Sequence, residues 1–325
     1  MNEVFLSLNG KGSRFFDLYQ GQAPGATAGY LIAAPRVAIL DPGGSRSVPY
    51  VLEALEKEGI SREQVAYILL THIHMDHAGG TGTLLQELPQ AQVVVHPRGA
   101  PHLVDPSKLV AGTAAAHGPQ WEQVFGPVET VPESRLLLAT EALRLDLGEG
   151  HEIRILETPG HAFHHVAYFD EGDRLLFSGD ALGVTYPSMA GPKGQYMIPS
   201  TVPNQFDPDL MVESARKLAQ LPAEGVAVSH FGPYALDLSA LPHHLERVLT
   251  ILTETTDVFV RERGGRAESS PEAVAALAAI LWEKVRTDME QQGIAQEAGA
   301  GVPYDFFINA GGLLHYWHYR QTHPA

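Results

Sequence analysis

A mixed α/β (α+β) fold is what this sequence predicts, on three observations. Short apolar runs ending in Gly, Pro or Asp turns alternate with stretches of helical spacing as far as Val95. From Arg135 to Phe177 five apolar runs follow one another with only turns between them, the mark of an antiparallel meander. Beyond Ser239 the apolar residues recur at i, i+3, i+4 and i+7, which is the period of a helix face.

In chain order, Val4 to Leu8, Gly29 to Ile32 and Val37 to Leu40 read as short strands. The last of them ends in Asp41-Pro42-Gly43-Gly44, where Asp41 reads first as turn chemistry and second as the rim of a site. A helix over Val48 to Lys57 follows, with Val51, Leu52 and Leu55 on one face. Val65 to Leu70 is a continuous apolar run and so a buried strand, and Thr81 to Leu88 and Ala91 to Val95 read as a helix and a strand. The stretch to Pro132 is rich in Pro, Gly and Ala, and its His96, His102 and His117 lack ligand-type neighbours, so they read as surface or structural histidines. The meander comprises Arg135 to Ala139, Leu143 to Leu147, Glu152 to Leu156, Val166 to Phe169 and Arg174 to Phe177. Turns such as Gly148-Glu149-Gly150 and Asp170-Glu171-Gly172-Asp173 separate the runs.

The densest chemistry sits directly after the Val65 to Leu70 strand, in Thr71-His72-Ile73-His74-Met75-Asp76-His77-Ala78-Gly79-Gly80. Any one of these histidines taken singly is better explained by a solvated turn, but three imidazoles and a carboxylate on one turn make a metal site. Neutral imidazole and carboxylate suit Zn, Fe or Mn, and no thiolate exists anywhere in the chain. His72 and His74 can reach one ion, and Asp76 and His77, on the other side of the turn, a second. Three later strand ends add to the set. Glu157 to His165 carries His161, a third nitrogen for the first ion, with His164 and His165 as hydrogen-bond partners or substrate contacts. Phe177-Ser178-Gly179-Asp180 offers a carboxylate able to bridge two ions, and Gly225 to Ser229 ends in His230.

Composition limits the function classes. With 325 residues, 44% of them apolar, there is material for one large domain and a smaller appendage. No apolar run approaches a membrane span, and Glu3 stands where a secretory leader would be basic, so the expectation is a cytoplasmic protein without membrane attachment. Zero cysteines exclude disulfides and a Cys nucleophile. A formal charge of −16, from 38 acidic against 22 basic side chains, opposes nucleic acid and argues against a nuclease.

The motifs at Thr71 to Gly80, Thr158 to His165, Ser178 to Asp180 and Ser229 to Pro233 stand in the order found in the metallo-β-lactamase superfamily, which the sequence resembles up to about residue 240. The resemblance implies an αββα sandwich over residues 1–238 with a helical extension over 239–325. It also implies His72, His74 and His161 on one metal, Asp76, His77 and His230 on another, and Asp180 bridging. Zinc is the first expectation for both ions, with iron or manganese as alternatives. Two such ions about 3.5 to 4 Å apart give a bridging hydroxide near neutral pH and polarise a carbonyl. The implied activity is hydrolysis of an ester, thioester or lactone of a small organic substrate. Asp76 and Asp180 then serve in proton transfer as well as ligation, and the second metal, or a phenol from Tyr186 or Tyr196, stabilises the leaving group.

The opening motif is similar to that of glyoxalase II-like thioesterases, but the Gly- and Pro-rich segment Thr185 to Pro199, expected as a pocket wall, carries no basic cluster to hold a glutathione carboxylate. Zinc β-lactamases of the commonest type use a cysteine ligand, absent here, so antibiotic hydrolysis is not the first choice. The alternatives are a mononuclear iron persulfide dioxygenase-like oxidoreductase and a non-catalytic metal-binding protein of the same fold. Leu241 to Val260 and Pro271 to Met289 read as helices, the second started by Ser270-Pro271, and the tail from Phe306 to Tyr319 is strongly aromatic. The expectation for this part is a helical domain that covers the pocket mouth or makes a homodimer, with His243, His244, His315 and His318 structural or on the surface.

Overall fold

The computed structural model describes residues 12–192, 194–234, 237–265, 269–294 and 302–323, and the strand expected over Val4 to Leu8 lies outside them. The chain separates into two compact units. The first comprises the described residues of Met1–Glu157, His164–Gly179 and Pro222–Ala235; the second comprises those of Thr158–Phe163, Asp180–Leu221 and Leu236–Ala325.

The first unit holds two six-stranded sheets. One runs in chain order through β1 (Ser13–Asp17), β2 (Ala28–Ile32), β3 (Val37–Leu40), β4 (Val65–Leu69), β5 (Gln92–Val95) and β6 (Leu136–Leu138). Its first three strands pair antiparallel, and β3 to β6 pair parallel, with Ile39 opposite Ile68 and Ile68 opposite Val93. Parallel neighbours need a crossover, here supplied by α1 (Val48–Lys57) between β3 and β4. After β4 the chain passes through a single turn, α2 (Met75–Ala78), and then α3 (Thr81–Glu87) before reaching β5. The apolar runs of β3 to β5 are buried on both faces, as parallel strands usually are. Val51 and Leu55 of α1 and Leu84 of α3 pack in one cluster with Leu31, Ile39, Ile68 and Val93. Each such buried side chain contributes roughly 1.5–3 kcal/mol.

The second sheet has β7 (Arg144–Asp146), β8 (Glu152–Glu157), β9 (Val166–Asp170) and β10 (Leu175–Gly179) as a meander. After the second unit's two-residue strands β11 (Ala190–Gly191) and β12 (Gly194–Gln195), it is completed by β13 (Gly225–Val228), parallel to β10, and β14 (Gly232–Tyr234). The sheets face each other through aromatics. The Tyr30 hydroxyl donates to the Val228 carbonyl at 2.5 Å, the Tyr30 ring meets Phe177 edge-on at 5.5 Å, and the Tyr168 hydroxyl donates to the Leu70 carbonyl at 2.8 Å. The C-terminal ends of β3, β4 and β13 thus deliver Asp41, the histidine turn and His230, the strand ends at which open α/β sheets carry their chemistry.

One sequence expectation needs correction. The run Arg135 to Ala139 is not part of the antiparallel meander: β6 lies parallel to β5 in the first sheet, where its three leucines pair with Val93, Val94 and Val95. The Pro-, Gly- and Ala-rich stretch forms α4 (Ala100–Val104), α5 (Ser107–His117) and α6 (Trp121–Phe125). Its alanines favour helix, and Gly118 and Gly126 end α5 and α6 at positive φ.

The second unit is mainly helical, with α7 (Pro208–Leu218), α8 (Leu241–Glu262), α9 (Pro271–Gln291) and α10 (Val302–Thr322). Asp207 caps α7 by accepting from Leu210 N at 3.0 Å, and Ser270 caps α9 by accepting from Ala273 N at 3.2 Å, as the Ser-Pro start predicts. Leu245, Leu249 and Leu252 of α8, Leu277 and Leu281 of α9 and Phe306 of α10 are buried, and the Trp282 and Phe306 rings lie 5.4 Å apart.

Candidate metal centre

Beyond β4 the backbone runs extended to His74, which caps α2 from a β conformation, and the chain then turns at Gly79 and Gly80. The turn after β3 presses against it. Gly80 N donates to the Gly43 carbonyl at 2.7 Å, and a Cβ at position 80 would stand 2.6 Å from the Gly44 carbonyl oxygen, so only glycine allows the approach. This brings the histidine rings into one cluster, with His72 4.4 Å from His74 and 3.9 Å from His77 between ring centroids.

The tautomer of each ring follows from its Nδ1 partner. Thr71 Oγ1 has one proton, which it donates to Asp41 Oδ2 at 2.7 Å, so its 3.0 Å contact with His72 Nδ1 is a bond donated by the imidazole. His77 Nδ1 faces the Asp41 carboxylate at 2.9 Å and His230 Nδ1 faces the Ala26 carbonyl at 3.1 Å. In the second unit, His161 Nδ1 faces the Ser200 carbonyl at 2.9 Å. All four neutral rings therefore carry hydrogen on Nδ1 and the lone pair on Nε2.

Within the first unit, Asp76, His77 and His230 form a group able to hold a metal ion. Asp76 Oδ2 lies 3.5 Å from His77 Nε2 and 3.3 Å from His230 Nε2. Burial raises the Asp76 carboxyl, and only rings that carry a proton on Nε2 would, by attraction and hydrogen bonds, hold it well below the usual carboxylate range. An anionic oxygen and two nitrogen lone pairs converging at this spacing repel one another unless a cation or proton lies between them. The residues therefore fit a metal of the type that takes N and O ligands. His165 and His164 stand behind the cluster, their centroids 5.0 and 6.3 Å from that of His72. Gly179, at φ +51°, closes this side: a Cβ there would be 2.7 Å from both His165 Nε2 and Thr71 Cβ.

His161 and Asp180 belong to the second unit, where His161 Nε2 lies 3.7 Å from Asp180 Oδ2. The Tyr186 hydroxyl, also there, donates to Asp305 Oδ2 at 2.9 Å, and that of Tyr196 to Asp288 Oδ2 at 2.6 Å. Asp41 is more than a turn residue. Buried at 1% exposure, it accepts from Thr71 N at 2.8 Å and Ser229 Oγ at 3.1 Å as well as from Thr71 Oγ1, and it orients His77. A carboxylate at the end of the strand parallel to β4 was the available signal for it.

Two facing sheets with histidine and aspartate gathered at their strand ends define an α/β protein whose side chains could hold a metal ion. The metallo-beta-lactamase superfamily model matches residues 24–230, and the chain belongs to that superfamily. It has the superfamily's fold, which is that of metal-dependent hydrolases, with a helical C-terminal region. It is 28% identical over 191 residues to a metallo-beta-lactamase fold-containing protein of Sulfurisphaera tokodaii, covering 58% of this chain and 68% of the relative. The crystal structure of that archaeal protein superposes with a TM-score of 0.60 at 25% identity, over 74% of this chain and 86% of the other. A hydroxyacylglutathione hydrolase of Methylobacillus flagellatus is 31% identical over 211 residues; the match spans 63% of each chain, just under two-thirds of that relative's length. A metallo-beta-lactamase family protein of Thermus thermophilus shares the fold at a TM-score of 0.61 and 22% identity, over 91% of this chain and 89% of the other. No helix among the described residues is long and apolar enough to cross a membrane.

Proposed function

We propose that the chain is a metal-dependent hydrolase that cleaves an ester, thioester or lactone of a small organic substrate. The observation that carries this reading is that Nδ1 of His72, His77, His161 and His230 each lies within hydrogen-bond distance of an oxygen, which assigns Nε2 of each ring the role of ligand. Asp76, His77 and His230 would hold a divalent ion, and His72, His74, His161 and Asp180 are the further ligands that the order of the motifs implies. When bound, such ions supply Lewis acidity, activating a water and polarising the scissile carbonyl without a Ser or Cys nucleophile.

The chain's own groups do the rest. The Nδ1 hydrogen bonds hold the four rings against rotation, and the Asp76 carboxylate, whose Oδ2 faces the Nε2 atoms of His77 and His230, is a proton acceptor there. Tyr186 donates its proton to Asp305 Oδ2 and would serve the leaving oxygen or sulfur by exchanging that bond. The likeness to a hydroxyacylglutathione hydrolase supports the thioester class. The −16 charge disfavours polyanionic polymers.

The test is metal content per chain, on protein purified without added metal, beside turnover of a panel of small thioesters and lactones. Two ions per chain with turnover abolished by Asp180→Ala is the expected result. One iron per chain, oxygen uptake with a persulfide and no hydrolysis overturn it in favour of the dioxygenase-like reaction.

A further inference from the structure

The ring of His161 is oriented by a main-chain carbonyl, that of Ser200, and a carbonyl is only as well placed as the segment bearing it. The segment from Met197 to Thr201 belongs to no sheet, yet it is held at every step. Ile198 exchanges hydrogen bonds with Val184, each at 2.8 Å, and Gly183 N donates to the Asp180 carbonyl at 2.9 Å, which joins the segment to the Asp180 turn. Gly183 permits this: a Cβ there would stand 2.3 Å from the Ile198 carbonyl oxygen.

The C-terminal helices grip both flanks. On the α8 side, Arg247 can only donate, so its 3.1 Å contact makes His244 Nδ1 the acceptor and puts the proton on Nε2, which donates to the Met197 carbonyl at 2.8 Å. On the α10 side, Asn309, at 2% exposure, spends its whole amide on the residues either side of Ser200. Its Nδ2 donates to the Pro199 carbonyl at 3.0 Å, its Oδ1 accepts from Thr201 N at 2.8 Å, and its main-chain carbonyl accepts from Thr201 Oγ1 at 2.9 Å. One turn on, Gly312 lets the helix lie against this segment, since a Cβ there would be 2.5 Å from the Thr201 carbonyl oxygen.

We infer that Asn309 is a positioning residue for His161: through Pro199 and Thr201 it fixes the Ser200 carbonyl, which locks the His161 ring with Nε2 toward Asp180. The helical extension thereby acts as a brace for one ligand of the metal centre, with His244 as its second contact. This rests on the reading of His161 as a ligand.

Zn2+ affinity, measured by competition with a chromophoric chelator on the full chain, tests both. His161→Ala identifies the Zn2+ site that depends on that imidazole; if no site weakens, the ligand reading itself fails. Asn309→Ser is expected to weaken that same site by about 10- to 100-fold, the range for groups that orient a ligand histidine, while the other site changes less than about threefold. The isosteric Asn309→Asp, which keeps the acceptor for Thr201 N but loses the donor to Pro199, serves if Asn309→Ser does not fold, and is expected to weaken the same site. Ser270→Ala, which removes the α9 cap without touching the segment, is the control for a general loss of stability and should leave both sites unchanged. Weakening by His161→Ala with wild-type affinity in both Asn309 variants overturns the brace. Equal weakening by Ser270→Ala overturns it as well.

Discussion

Asp41 Oδ2 lies 2.9 Å from Nδ1 of His77, and the same carboxylate takes both hydrogen bonds of Thr71 and the hydroxyl of Ser229. One side chain at the end of β3 therefore ties down the ends of β4 and β13 and sets the tautomer of a candidate ligand. Asp41→Asn keeps the volume but brings in an amide N–H2, which must point at a donor in at least one of these contacts. Metal affinity is expected to fall by about 10- to 100-fold, as for other carboxylates that orient a ligand histidine. Chelator competition on the purified variant measures it, and wild-type affinity would show that His77 does not need the carboxylate.

Gly179 ends β10 at φ +51°, where an L side chain is strained and where a Cβ would meet Thr71 Cβ and His165 Nε2 at 2.7 Å. The left-handed conformation costs about 1–2 kcal/mol for a residue with a Cβ, and overpacking a filled site typically costs a further 1–3 kcal/mol. Gly179→Ala should lower the urea midpoint with an unchanged slope. An unchanged midpoint would mean that the strand end yields to the extra methyl.

What the sequence disclosed and what it hid divide along physical lines. Strands β3, β4 and β13 and helices α1, α8 and α9 were legible because continuous apolar runs and helical spacing record burial directly. The histidine turn was legible because ligand types seldom crowd together by accident. Helix α5 was hidden since most of its positions are at least partly exposed, leaving no apolar stripe, and α7 was passed over although Asp207-Pro208 with Met211, Ala215 and Leu218 carries a cap and a face. Asn309 and His244 act through partners far along the chain, and such pairing leaves no trace in local pattern. The placement of β6 was misread for a related reason: a three-residue apolar strand fits either sheet, and only the fold decides.

His244 is held neutral. Burial lowers its pKa from 6.5, outweighing the hydrogen bond at Met197; Arg247 and His243 push it further down, and Asp288 pulls it up. A depressed folded value means that the unfolded chain takes up a proton first. The stability that the neutral ring contributes is therefore complete above pH 6.5 and is lost as pH falls from there through the folded value. His244→Gln removes this titration, so the stability gap between wild type and variant should narrow from pH 8 to pH 5 in urea titrations. A gap independent of pH would contradict the neutral assignment.

Asp76 provides the sharpest separation of metal binding from plain packing, because its Oδ2 faces two imidazole Nε2 atoms at 3.3 and 3.5 Å. In Asp76→Asn the side-chain amide can donate to those lone pairs, so the metal-free variant should be at least as stable as metal-free wild type. With Zn2+ present the order should reverse. A site saturated at 100 times its dissociation constant stabilises the folded state by about 2.7 kcal/mol, and the variant forfeits much of that by losing an anionic ligand. Thermal unfolding of both proteins, each with chelator and with Zn2+, gives the four values needed. A crossing of the two pairs marks Asp76 as a ligand, whereas a variant less stable by the same amount in both conditions marks it as a structural carboxylate.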